Sequence, residues 1–157
     1  MVKEEREEVV SSYEELRKKH SLPKLEDVES ELGVKIIYTP VINEFLRILH
    51  DRIGSCAGHL EINLQPTRMA DVIESKFFSE KEKQDMFRFY KELIAVIHDI
   101  GLSVYQDSDS RIKCFKKTFD FYTKQLKPFM QDFLKRQADG WRKEETQQKE
   151  KSSTYFG

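Results

Sequence analysis

A chain of 157 residues fits one domain, large enough to bury a core without disulfide or metal support. It is 38% hydrophobic and 35% charged, with only six glycines and four prolines, which argues against a turn-rich β-sandwich and for helices with Lys- and Glu-rich outer faces. The net charge of −1 hides an uneven distribution: residues 1–33 hold six Lys/Arg against ten Asp/Glu, and residues 111–143 hold ten Lys/Arg against three Asp.

The first element reads as a helix from Val2 to about His20, with Val9, Val10, Tyr13 and Leu16 at helical spacing. Pro23 interrupts the chain, and Leu25, Val28 and Leu32 mark a short amphipathic helix ending near Gly33. "VKIIY", residues 34–38, reads as a connector or a brief strand. Thr39 before Pro40 reads as a helix start, the threonine as cap and the proline in the first helical position. Ile42, Leu46, Leu49, Ile53, Cys56, Leu60 and Leu64 then form an apolar stripe in steps of three and four, which Pro66 stops.

"RMADVIESKFF" reads as a short helix or turn, and Ser79 with Glu82 as the capping box of a helix reaching about Leu102. The second half of that helix is apolar nearly all round and is expected to be the most buried element. "QDSDS" is a polar loop and cap. In the last helix Ile112, Phe115, Phe119, Tyr122, Leu126, Phe129 and Phe133 alternate three and four apart, with Pro128 placed to kink it. The polar tail, residues 144–157, is expected to be disordered until a partner orders it.

These elements predict an all-α, antiparallel bundle of four to five helices in a single domain over residues 1–143, made of an acidic helical region (1–33) and a core bundle (39–143). The competing reading is α+β, with residues 34–38 pairing with residues 59–65, where "HLEINLQ" alternates as a strand would.

The third helix contains "RILHDRIGSCAGHLEIN", with two histidines, a cysteine and two glycines. His50 and His59 are nine positions apart and point in roughly opposite directions, so they do not share a metal on one helix. Cys56 lies on the apolar stripe, where a free cysteine serves as a small hydrophobe. Gly54 and Gly58, one turn apart on the flank, predict a close-packing seam for a second helix, or for a second copy of the chain. Cys56 and Cys114 form no zinc spacing, and no cofactor is signalled. No apolar N-terminal run marks a signal peptide and no stretch is apolar enough for a membrane span, so a cytoplasmic protein is expected.

"ELIAVIHDIGLSVY" places His98-Asp99 before Ile100-Gly101 at the end of an apolar helical run. This pattern resembles the HD superfamily of metal-dependent phosphohydrolases. The resemblance implies a divalent metal held by His98 and Asp99, with His59 (or His50) as the upstream ligand and Asp120 downstream, and metal-bound water attacking a phosphoester. Leu102 stands where that family carries a lysine after the glycine. Without a metal, the same residues are a helix-flank histidine and a solvated aspartate.

The basic last helix is the stronger signal. Lys116, Lys117, Lys124, Lys135 and Arg136 can meet phosphates or carboxylates, and Trp141 or Phe121 can stack or anchor an interface. The expectation is a non-catalytic binding or adaptor protein whose partner is a nucleic acid or an acidic protein surface, unless residues 1–33 cover the basic helix.

Overall fold

The computed structural model describes the backbone of residues 2–154 and the side chains of residues 4–144. It is all-α: α1 (Val2–His20), α2 (Leu25–Leu32), α3 (Val41–Leu64), α4 (Met69–Ser75), α5 (Glu80–Ser103), and α6 (Ser108–Phe121), which runs through a π-helical turn (Tyr122–Leu126) into α7 (Lys127–Thr154). Among the described residues there is no strand. The expected polar tail falls mostly outside the described side chains.

The α+β alternative is overturned at both of its segments. Residues 59–64 belong to α3, where Leu60 and Asn63 face inward one turn apart. In residues 34–38 the backbone groups of Ile36 are already taken: its N–H donates to Glu29 Oε1 (2.7 Å) and its carbonyl accepts from Arg6 (2.7 Å). Arg6 also grips both oxygens of Glu29, at 2.6 and 2.7 Å. This buried fork ties α1, α2 and the connector together, and it satisfies the Glu29 carboxylate where an unpaired one would be costly. Gly33 ends α2 in the left-handed region (φ 56°), where a side chain would be strained, and the Val34 N–H closes the cap on the Glu29 carbonyl (3.0 Å).

Helix α3 is the centre of the molecule. It packs along α5 and also meets α1, α4 and α6. Phe45 on α3 sits edge-on to Tyr13 (6.0 Å between centroids) and stacked on Phe115 (5.5 Å), so one ring joins three helices. The buried stripe uses Ala57 between Ile53 and Leu60, while Cys56 lies half-buried beside it. α3 starts at Val41, with Pro40 itself in the extended N-cap position (ψ 129°) and no side-chain cap from Thr39.

The expectation that α5 is the most buried element is corrected. Only Met86, Leu93, Ile100 and Ser103 of α5 are buried, because α3 and α6 cover part of it and leave the far side open. Its capping box does form: Ser79 accepts from the Glu82 N–H, and Glu82 accepts from the Ser79 N–H (2.7 Å).

Proline 128 acts through the hydrogen-bond ladder. It has no N–H to give the Lys124 carbonyl, and the preceding N–H, of Lys127, reaches back five residues to the Tyr122 carbonyl. The widened turn keeps Tyr122, Leu126 and Met130, each four apart, on the buried face, and leaves Phe119 and Phe129 half-buried. No helix among the described residues is long and apolar enough to cross a membrane.

Candidate interface for an anionic partner

On α6 the core takes Ile112, Phe115 and Thr118, so helical periodicity sends Lys113, Lys116 and Lys117 outward together. These three lysines and Asp120 border a shallow groove of about 570 Å³ floored by Pro23, Phe119 and Thr123. Lys113 and Lys117 also border a second groove, about 390 Å³, between α5 and α6, with Val96, Leu102 and Phe121 along its wall. Lys113 to Lys117 therefore form a cationic ridge between two partly apolar hollows.

The element beside this ridge is the last turn of α1, which carries Arg17, Lys18, Lys19 and His20. Lys116 Nζ donates to the His20 carbonyl (3.4 Å), and Lys19 and His20 approach Asp109 at the start of α6 (4.0 and 3.6 Å). A lysine on the terminal carbonyls of α1 complements the negative end of its macrodipole. The acidic head of α1, Glu4 to Glu8, lies roughly 18–24 Å back along the helix at 1.5 Å per residue, more than two Debye lengths at physiological salt. The N-terminal region thus brings its basic end to the basic helix. Lys127 does pair with Glu31 of α2 (2.7 Å), which raises the lysine's pKa through that hydrogen bond.

The six residues expected to bind the partner do not lie on one face. Lys116 and Lys117 stand on the ridge, where Lys117 faces Asp99 at 3.7 Å across the groove. Lys124, one element further along, pairs with Asp120 (2.5 Å), and Lys135 is exposed on α7. Arg136 is occupied within the fold: it pairs with Glu82, donates to the Phe77 carbonyl (3.0 Å) and lies 4.7 Å from the Phe78 ring centroid. Trp141 is half-buried, its Nε1 donating to Glu74 (2.9 Å) and its ring edge-on to Phe77 (5.8 Å). Phe121 packs against Phe89 (5.8 Å). Lys19 and Pro23, which the fold adds to the site, were masked in the sequence by the acidic average of residues 1–33. The signal that could have found them is the run "RKKH" just before the Pro23 break.

The metal set implied by the HD resemblance is not brought together. His98 and Asp99 are both exposed on α5, Asp99 beside the groove shared with α6, and His59 is exposed on α3. Asp99 and Asp120 do border the same groove, without either histidine. Among the described residues, no group of three or more His, Cys, Asp or Glu side chains is placed to hold a metal ion. Among the described residues the expected glycine seam is also absent: a Cβ at Gly54 or Gly58 would meet nothing within 4 Å. Close approach occurs instead at Gly140 of α7, where a Cβ would collide with the Phe77 ring.

Compared with known proteins, the chain matches no family model, no curated protein and no solved structure.

Proposed function

We propose that this protein is a non-catalytic helical binding module that recognises an anionic partner on the face formed by α6 and the last turn of α1. The observation that carries this reading is the exposed ridge Lys113, Lys116 and Lys117, which continues onto Lys19 at the base of α1. Lys113 lies one helix turn from both Lys116 and Lys117, about 5–6 Å between Cβ atoms, so the three cations share one side of α6 and can meet carboxylates or phosphates there. Arg136 and Trp141 support the reading only indirectly, by holding α7 to α4 and α5.

The test is the affinity for two polyanions, poly-glutamate and a single-stranded DNA oligonucleotide, measured at rising salt. At least one is expected to bind at low salt, to weaken steeply as salt rises, and to be lost in Lys116→Glu/Lys117→Glu. Failure of both to bind at low salt, or binding that the double variant leaves intact, contradicts it.

A further inference from the structure

We propose that the occupant of the Pro23–Phe119 groove is an acidic amphipathic helix of a protein partner, an apolar side chain seated on the floor and its carboxylates on Lys113, Lys116 and Lys117. This deepens the reading above and rests on it.

The lining of the groove decides the chemistry. Pro23 and Phe119, with Thr123, give it an apolar floor, the carboxylate of Asp120 in its lining is already paired with Lys124 (2.5 Å), and the stems of the bordering lysines add further apolar surface below their charges. A purely ionic ligand would leave that floor wet. A helix presenting one apolar residue with acids a turn to either side covers both.

The surroundings argue against a nucleic acid. Asp99, Asp109 and Asp120 stand among the lysines, at 3.7 Å from Lys117, 4.0 Å from Lys19 and 2.5 Å from Lys124. An unbroken line of phosphates has to pass these carboxylates, whereas a helix with few, spaced acids does not. The two rings expected to stack on a base, Phe121 and Trp141, are spent on Phe89 and Phe77.

A second copy of the chain is a poorer fit. Its acidic segment is the head of α1, whose apolar residues Val9 and Tyr13 are fully buried in its own core, leaving the short side chain of Val10 (40% exposed) to reach outward. It would bring carboxylates with little to fill the floor.

The experiment is fluorescence anisotropy with a labelled helical peptide carrying one central Leu flanked a turn away by Glu, beside its Leu→Ser counterpart of equal charge. Single-stranded and duplex DNA are run at the same salt, and the free protein is followed by sedimentation velocity. The Leu peptide is expected to bind about tenfold tighter than the Ser peptide, the scale of burying one apolar side chain. Lys113→Glu/Lys117→Glu, whose fold is checked by circular dichroism, is expected to lose both peptides. Equal affinity for the two peptides overturns the apolar seat. DNA binding with no peptide binding overturns the helix partner while leaving the anionic-partner reading in place. Salt-sensitive self-association that the Leu peptide does not displace assigns the groove to a second copy and overturns it. No binding by peptide or DNA at low salt overturns both readings.

Discussion

Glycines 54, 58 and 140 all lie inside helices, yet their surroundings differ. Gly54 and Gly58 face open space, so each carries the propensity cost of glycine without a packing return. Gly140 lets α7 approach Phe77, whose ring lies edge-on to Trp141. Gly54→Ala and Gly58→Ala are each expected to stabilise the fold by about 0.5–1 kcal/mol in denaturant titrations. Gly140→Ala gains the same propensity but overpacks the Phe77 contact, at a cost of about 1–3 kcal/mol, and is expected to be neutral to destabilising. A clear loss at Gly54 or Gly58 would show that a helix does pack on that flank. None of this difference is legible in sequence, because a glycine's role depends on a neighbour distant in the chain.

Between elements, the Glu82–Arg136 pair clamps the start of α5 to α7. Glu82 accepts from Arg136 and from the Ser79 N–H, and these hydrogen bonds pull its carboxyl from the ordinary 4.5 down to about 2. A carboxyl depressed in the folded state stabilises it fully above its unfolded pKa and loses that effect as pH falls through the folded value. The clamp is therefore intact above about pH 4.5 and fades between there and about pH 2. Glu82→Gln is expected to lower the melting temperature at neutral pH, the gap to wild type closing over that window. A gap that persists unchanged at the acid end would contradict it.

The capping box behind this clamp was plain in the sequence, as were the ends of α2 and α3 at Gly33 and Leu64, because each is set by residues close along the chain. The π turn was not. Pro128 announced an irregularity, but an i→i+5 bond that keeps Tyr122, Leu126 and Met130 buried answers to the packing of the bundle as well as to the proline. The burial of α5 was misjudged for a related reason. Composition gives the apolarity of a face, and only topology tells whether a neighbour covers it.

Across the whole molecule, charge is the quantity that sequence averages conceal. Residues 1–33 are acidic in sum, yet α1 presents cations at the end that touches α6. The fold therefore concentrates positive charge on α6 and the end of α1, while two of the six expected residues, Arg136 and Trp141, are consumed by internal contacts. Two sequence-distant segments make this face, and although each carries a local run of cations, nothing local announces that they meet.

The central claim is the location of that face, and the most direct measurement is a titration of isotope-labelled protein with poly-glutamate, followed by backbone amide chemical shifts. The account predicts low-salt perturbations clustered at Lys19, Pro23's neighbours and Lys113 to Thr123, absent at high salt. Perturbations centred on α7 around Lys135 and Lys143, or none anywhere at low salt, would contradict it.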